Sequence, residues 1–425
     1  MAQQPIYDTI GKLYMGQDPI VIVGAGPVGL TIAELLTLHD IPVIVLEQNA
    51  TPSREWRAST FHAATLELLE ETGLSKELIA RGLIADKIQY RDRRTGIFAE
   101  FDTRLLENDT RYPFRLQCPQ STYAQILAER LQQRPLADLR FNSALVGLEQ
   151  DSAGVKATIQ APDGHYTLQA AFLLGADGAK STVRKLLGIA FDGMTFEERL
   201  LLVGTPVPFD QFLPDITYVN YISDPEEFLF ILRVPEAWRL LYAVPPELSD
   251  EEATNDQRIQ GTLQRALHTE QTFPIIERMI YRFHQRVAER FYDGHIVLLG
   301  DAAHVNSPFG GLGLNSGIHD AVDLSIRLVR VLSGGQSVDV EAELQTYAQR
   351  RRQVAIEYVQ KMSGRNTRLI AEQDPQERRR LQQEMAREAN DPERARQWLL
   401  RSSLLTSVRE QGIGAAPPMS TQHSP

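Results

Sequence analysis

The sequence predicts an α/β fold with a parallel-sheet domain, a mostly antiparallel β domain inserted into it, and a C-terminal helical segment. Three observations predict it. Ile20–Val23 and Pro42–Leu46 are short apolar strand runs joined by a glycine turn and a helical stretch to about Leu38, a βαβ opening. From about Phe191 to Tyr292 the texture changes to short β-rich runs, Thr217–Ile222, Phe228–Val234 and Leu240–Val244, separated by proline and acidic loops. A buried-strand pattern then returns at Ile296–Leu299, followed by a glycine-rich loop and a long helix to about Leu332.

The remaining elements follow in order. Residues 1–18 are a lead-in. Residues 19–190 and 293–340 form the two parts of the parallel-sheet domain and flank the insertion, 191–292. Ala63–Glu71 and Ser121–Leu131 read as helices, and Val155–Ala170 as a hairpin around Asp163-Gly164. Residues 341–411 are helical and heavily charged, expected to pack on the parallel-sheet domain or on a second subunit, as in a homodimer. Residues 412–425, GIGAAPPMSTQHSP from Gly412, have a disordered composition. The chain has no internal repeat.

Composition excludes several classes. A length of 425 residues suits two intertwined domains plus an appendage. The net charge of −11 argues against nucleic-acid and anionic-membrane partners, which would be repelled. The single cysteine, Cys118, excludes an intrachain disulfide and a cysteine-rich zinc site, and reads as buried filler. No metal site is expected. The run Phe228–Val244 is broken by Arg233, Glu236 and Arg239, so no membrane span is expected. With no signal-like apolar run at the N-terminus, a cytoplasmic location is the expectation.

Three motifs carry chemistry. Gly24-Ala25-Gly26-Pro27-Val28-Gly29 sits between a strand and a helix. There Gly24 permits a tight turn, Gly26 lets a diphosphate approach the backbone, and Gly29 lets helix and sheet pack closely. The helix N-terminus offers N–H groups to phosphates. Glu47, 18 residues after Gly29, is placed to accept from ribose hydroxyls. This motif does not by itself separate FAD from NAD. The second motif, Leu173 to Arg184, runs an apolar strand into Asp177-Gly178 and a helix start that Ser181 caps. The third is Gly300-Asp301 off a buried strand, then Pro308-Phe309-Gly310-Gly311-Leu312-Gly313-Leu314-Asn315-Ser316-Gly317, then Asp320-Ala321. Asp301 is placed for a sugar-like hydroxyl chain, and the small loop lets a flat ligand lie against backbone at the positive end of a helix.

In this order and spacing, over roughly residues 19–365, the motifs resemble the p-hydroxybenzoate hydroxylase-type family of FAD-dependent aromatic monooxygenases. The resemblance implies a Rossmann-like FAD-binding domain, an inserted substrate domain and non-covalent FAD, with NADH or NADPH as a transient electron donor. It implies that the first motif binds the ADP half of FAD, and that Asp177 supports FAD and affects nicotinamide use. Asp301 would face the ribityl chain, the backbone of Leu314 and Asn315 the flavin ring, and Pro308 the space where O2 reacts. Gly311 and Gly313 belong to that loop. Arg57 resembles the arginine near the diphosphate, and Gln120 a residue touching the ribityl chain, with Gln117 as rival. The backbone of Leu145 would contact adenine.

The implied reaction is reduction of FAD, oxygen addition to form a flavin hydroperoxide, and attack by an electron-rich ring, usually a phenolate. The chain carries one glycine fingerprint, which suits transient nicotinamide binding. No catalytic side chain is assigned. Tyr218, Tyr221, Tyr242 and His284 are candidates for a base, His304 for local hydrogen bonding, and Phe228, Phe230 and Trp238 for core packing or ring stacking. Two readings of other classes stay open: a flavin dehydrogenase or reductase without oxygen insertion, and a non-enzymatic FAD-binding interaction protein. A halogenase is disfavoured because Trp56, Trp238 and Trp398 are isolated and form no Trp-x-Trp pair.

Overall fold

A computed structural model describes residues 18–52, 57–224, 227–333 and 338–413, without the side chains of 197–198. The lead-in and the C-terminal tail, apart from Asp18, Gly412 and Ile413, lie outside the described residues, as does Trp56.

The first half follows the expected order. β1 (Ile20–Val23), α1 (Pro27–Leu38) and β2 (Val43–Leu46) form the opening unit. Both strands are buried at every position, which is why they read as unbroken β-branched and leucine runs and do not alternate. β3 (Thr60–Phe61), α2 (Ala63–Leu68), β4 (Leu83–Ala85), β5 (Lys87–Asp92), β6 (Gly96–Asp102), β7 (Arg115–Gln117), α3 (Gln120–Gln132) and β8 (Ala137–Arg140) follow. β9 (Ala144–Asp151), β10 (Gly154–Ala161) and β11 (Gly164–Ala170) make a small antiparallel sheet, its last turn closed by Gly164 at φ +122°. β12 (Phe172–Gly175) and α4 (Thr182–Leu186) complete this half.

The second half holds β13 (Phe191–Thr205), β14 (Val219–Ser223), β15 (Leu229–Val234), β16 (Ala237–Val244), α5 (Asp256–Leu267) and β17 (Glu277–Ala288). β18 (Tyr292–Asp293), β19 (Ile296–Leu298), β20 (His304–Val305) and α6 (Leu312–Ser333) return the chain to the first sheet. α7 (Val340–Val354), a π-helical stretch Ala355–Gln360, α8 (Lys361–Ala371), α9 (Pro375–Asn390), α10 (Pro392–Ser402) and α11 (Leu405–Gln411) close it.

The parallel sheet has the order β18-β19-β12-β1-β2-β8, with β18 antiparallel at its edge. Its register pairs Val23 with Gly175 and with Leu46, and Gly175 with Leu298. The carboxyl ends of β2, β1, β12 and β19 therefore finish level. Glu47, Gly24, Asp177 and the Gly300-Asp301 turn emerge side by side along one edge, where open α/β sheets bind ligands.

The second sheet has the order β20-β17-β13-β16-β15-β14-β5-β6 and is antiparallel except where β14 runs parallel to β5. It thus draws two strands from 87–102, ahead of the stretch expected as the insertion. Alternation divides its faces. Leu201, Val203, Ile231, Trp238, Leu240 and Tyr242 pack with Ile259 and Leu263 of α5. Leu200, Leu202, Tyr221, Phe230 and Leu241 pack with Tyr90, Phe101, Phe309 and the C-terminal helices.

Those helices extend one expectation. α7 does pack on the parallel-sheet domain, where Tyr347 donates its hydroxyl to Leu298 O at 3.0 Å. The later helices cover the third motif of that domain and, beyond the expectation, the antiparallel sheet. Trp398 stacks on Phe101 at 4.0 Å, Arg396 pairs with Asp109 at 2.6 Å, and Thr367 bonds Ser307 at 2.9 Å.

Candidate active site

The first loop separates three glycine roles. Gly24 adopts φ +106°, and a Cβ there would lie 2.5 Å from Ala176 O. A Cβ on Gly29 would lie 2.0 Å from Gly24 O, so that glycine is a packing requirement. Gly26 faces open space, with nothing within 4 Å of a built Cβ. Pro27 opens α1, no side chain caps this helix end, and no acid stands in its first turn. Leading N–H groups and the positive end of the dipole are therefore presented to the opening beside Gly26. Glu47 borders the turn: one carboxylate oxygen accepts from Ala25 N–H at 2.9 Å, the other from Asn49 N–H at 2.9 Å and its Nδ2 at 2.7 Å. A carboxylate offers about four acceptor positions, so capacity for a further donor remains.

Asp177 stands beside Gly24 across the strand ends. Its Oδ2 accepts from Thr182 N–H at 2.6 Å and Val183 N–H at 3.1 Å, and Ser181 caps α4 through Arg184 N–H at 3.0 Å. Its Oδ1 is buried with no partner among the described residues. Burial raises the Asp177 pKa, opposed by hydrogen bonds from Ser181, Val183 and Thr182. Arg184 crosses to the third motif, donating to Ala302 O at 2.7 Å and Ala179 O at 2.8 Å with Phe191 under its guanidinium.

The Gly300-Asp301 turn is pinned from α6. Asp320 Oδ2 accepts from Gly300 N–H at 3.0 Å and meets His304 Nε2 at 2.8 Å, while Oδ1 accepts from Arg351 Nε at 2.5 Å. Burial would raise the pKa of Asp320; Arg351 and His304 outweigh it and hold the carboxyl near 2. His304 thus has the local hydrogen-bonding role expected. Asp301 itself is exposed at the end of the strand. Desolvation raises its pKa, the charges of His304 and Arg57 oppose that, and Asp320 adds to it. Arg57 is exposed, and its carbonyl accepts from buried Arg239 at 3.2 Å.

The glycine loop is built against β3. Gly310 and Gly311 take φ +115° and +65°, and a Cβ on Gly311 would fall 2.9 Å from Thr60 Cβ. Gly313 has ordinary φ but would approach Asn306 Oδ1 at 3.1 Å. The buried Asn315 side chain donates to Thr60 O at 2.8 Å and Gly311 O at 2.6 Å, and accepts from His62 N–H at 2.9 Å and Thr65 Oγ1 at 2.6 Å. Its amide is consumed in shaping the loop, and Leu314 is buried in the core. His62 Nε2 bonds Gly310 O at 2.9 Å; burial and the nearby Arg115 push its pKa down to about 3. Pro308 is half-buried and accepts from Gly311 N–H at 3.1 Å.

The other expected positions divide. Gln120 is half-buried at the start of α3, its N–H bonded to Ala58 O at 2.9 Å. Its rival Gln117 is fully buried and accepts from Thr60 Oγ1 at 3.1 Å. Leu145 is buried, its backbone paired with Ile159. Tyr218 is 39% exposed, and Tyr242 and Trp238 lie on the α5 face, away from the loop. His284 bonds Thr195 at 2.9 Å. Phe228 and Phe230 approach Phe309 of the third motif at 5.4 and 6.3 Å, and Tyr221 stacks on Phe230 in the same cluster. Cys118 is buried, which pushes its thiol to about 12. Sequence reasoning missed Arg351 and the shaping role of Asn315; His304 and the Asp320-Ala321 pair were the visible traces of this network.

Loops of this kind at one edge of a parallel sheet, the third covered by an aromatic-faced antiparallel sheet, define an FAD-dependent oxidoreductase. The chain belongs to the FAD binding domain family, whose profile matches residues 17–362, and within it to the p-hydroxybenzoate hydroxylase-type aromatic monooxygenases. It is 33% identical over 388 residues to para-nitrophenol 4-monooxygenase of Pseudomonas sp. (strain WBC-3), covering 90% of this chain and 94% of that protein. It is 31% identical over 359 residues to 6-hydroxy-3-succinoylpyridine 3-monooxygenase HspB of Pseudomonas putida, covering 84% and 90%. The crystal structure of p-nitrophenol 4-monooxygenase PnpA from Pseudomonas putida superposes with a TM-score of 0.86 at 30% identity, over 91% of this chain and 98% of that one. The enzyme is an FAD-dependent monooxygenase of aromatic compounds, and the dehydrogenase and non-enzymatic readings fall away. No helix among the described residues is long and apolar enough to cross a membrane.

Proposed function

We propose that this enzyme hydroxylates a phenolic small molecule with O2 as oxygen source and NADH or NADPH as reductant, in the cytoplasm. The observation that carries the reading is Phe309. It extends the glycine loop into the aromatic face of the antiparallel sheet, meeting Phe228, Phe230 and Phe283 at 5.4, 6.3 and 6.4 Å. A ring seated there lies between that face and the loop. The names of the relatives, acting on nitrophenol and on a hydroxypyridine, support a phenol-like ring.

Bound FAD supplies electron transfer from the nicotinamide to oxygen. The residues of this chain bind and orient. The first loop, with Gly24, Gly26, Pro27 and Gly29, and the uncapped end of α1 hold the diphosphate. Glu47 accepts from the ribose. The backbone of Leu145 borders the adenine. Arg57 neutralises phosphate charge. Asp301 and Gln120 hold the ribityl chain, and Asp177 supports the centre. Gly311, Gly313, Leu314 and Asn315 present backbone to the ring, with Pro308 at the oxygen side. The fit rests on features of the chain itself: open space at Gly26, an uncapped helix end, the unpartnered Asp177 Oδ1 and the exposed Asp301 at the strand end. A homodimer is part of the same proposal.

The test is a panel of phenols with the purified yellow protein. Stimulated NAD(P)H consumption with a product labelled from oxygen-18 gas is the expected result. Full conversion without oxygen, or an unlabelled product, would sink it.

A further inference from the structure

One face of the small sheet β3-β7-β4 gathers polar groups, of which Arg115 has no role above. Thr60 pairs with Gln117 and Phe61 with Leu116, so continuing the register sets His62 opposite Arg115. On the other side of β7, Ala85 pairs with Arg115. Opposite residues share a face. Phe61 and Leu116 point into the core of the parallel sheet. Thr60, His62, Arg115 and Gln117 therefore point the other way, toward the glycine loop, which His62 bonds at Gly310 O and Thr60 abuts at Gly311.

Arg115 is only 5% exposed, and among the described residues no hydrogen bond or ion pair engages its guanidinium. Three further buried polar atoms nearby lack partners among the described residues: His62 Nδ1, Gln117 Nε2 and Tyr90 Oη. By register Arg115 stands opposite His62, which bonds the glycine loop, and its charge reaches both His62 and Tyr90 of the antiparallel sheet. His62, kept neutral there, supplies no countercharge. On the sheet side stands a wall for a flat ring: Tyr90 stacks on Tyr221 at 4.8 Å, and Tyr221 on Phe230 at 4.6 Å.

A largely buried guanidinium with no carboxylate partner among the described residues is costly unless another charge meets it. Its forked donors suit an oxyanion. We propose that Arg115 anchors an oxyanion borne by the aromatic substrate, and so selects ionised rings over neutral ones. The proposal rests on the phenolic reading above and deepens it. In the bound state the guanidinium also favours the deprotonated phenol, the form of the ring that is richest in electrons.

The test uses the FAD-loaded enzyme and three probes: 4-nitrophenol at a pH where it is ionised, 4-nitrobenzoate, and the neutral 4-nitroanisole. Binding is followed through the flavin spectrum. The wild type should bind at least one of the two anions about tenfold or more tighter than the anisole, and the two anions tell a phenolate from a carboxylate. Arg115→Gln should abolish that margin and raise KM for 4-nitrophenol about tenfold or more, with FAD content and Tm retained. Arg115→Lys should recover part of it. Equal binding of all three probes by the wild type would overturn the proposal. So would an unchanged KM in Arg115→Gln, or loss of FAD affinity in place of substrate affinity. If Arg115→Gln does not fold, the wild-type comparison and Arg115→Lys still decide. If no phenol is hydroxylated, the phenolic reading fails separately, because the binding margin is measured without turnover.

Discussion

Arg351 Nε donates to Asp320 Oδ1 at 2.5 Å with both side chains sealed from solvent, and through that contact a C-terminal helix holds the turn that carries Asp301. The second oxygen of Asp320 takes Gly300 N–H and His304. Asp320→Asn would leave the guanidinium of Arg351 buried without its countercharge. Breaking one side of a buried pair costs about 3–5 kcal/mol. We expect a loss of that size in urea unfolding, and lower FAD content in the fraction that remains folded. Stability within about 1 kcal/mol of wild type would show that the pair does not brace the turn.

The same carboxylate gives a pH signature. Its folded pKa, about 2, lies below the ordinary value of 3.8. A depressed acid contributes stability that is present above the unfolded pKa and is lost as pH falls through the folded one. The window is therefore about pH 4 down to pH 2, and the amount about 2 kcal/mol. Wild type should lose this increment on acidification in addition to what Asp320→Asn loses. Parallel stability curves for the two proteins over that window would contradict the assignment.

Gly26 and Gly29 should respond in opposite ways. An alanine at Gly29 drives Cβ to 2.0 Å from Gly24 O, a backbone atom that cannot yield, so Gly29→Ala should fail to fold or fold with a large drop in Tm. An alanine at Gly26 meets nothing within 4 Å, so Gly26→Ala should keep its Tm as apoprotein. Its methyl occupies the space proposed for the diphosphate, and FAD affinity should fall about tenfold or more, equivalent to about 1.4 kcal/mol. Titrating the apoprotein with FAD is the measurement. Normal FAD affinity in Gly26→Ala would move the diphosphate elsewhere.

The turn at Gly24 and the close packing at Gly29 were legible in the sequence because each is local: a strand, a turn and a helix start within ten residues. The positions of Asp177 and Asp301 at the ends of apolar strands were legible for the same reason. What was hidden depends on pairing across long separations. Arg351 stands 31 residues beyond Asp320 in a helix whose charges look solvated. The polar face of Thr60, His62, Arg115 and Gln117 exists only through the register of a two-residue strand with its partner 57 positions away. β5 and β6 read as a local hairpin, and nothing local says that β5 runs parallel to β14 in the other sheet. The docking of α10 was hidden too, because Trp398 reads as an isolated aromatic until Phe101 is brought beneath it.

The last prediction concerns the coupling of reductant to product. Gly311 combines φ +65° with a built Cβ 2.9 Å from Thr60 Cβ, inside the limit for real carbon contacts. An alanine there pays about 1–2 kcal/mol for the left-handed backbone, and the loop must also lift from β3. Asn315 opposes that motion, since its amide grips both Gly311 O and Thr60 O. The compromise is a displaced loop in a folded protein, which admits water beside the ring. Gly313 differs: its φ is ordinary, and its nearest neighbour is the Asn306 carboxamide oxygen at 3.1 Å, a side-chain atom able to rotate away. Gly311→Ala should therefore consume NAD(P)H while releasing more hydrogen peroxide and less hydroxylated product, at least twofold away from wild-type coupling. Gly313→Ala should stay closer to wild type. The measurement is product and peroxide per nicotinamide oxidised, with oxygen-18 gas tracing the product oxygen. A fully coupled Gly311→Ala enzyme would mean that this loop does not shelter the reacting centre.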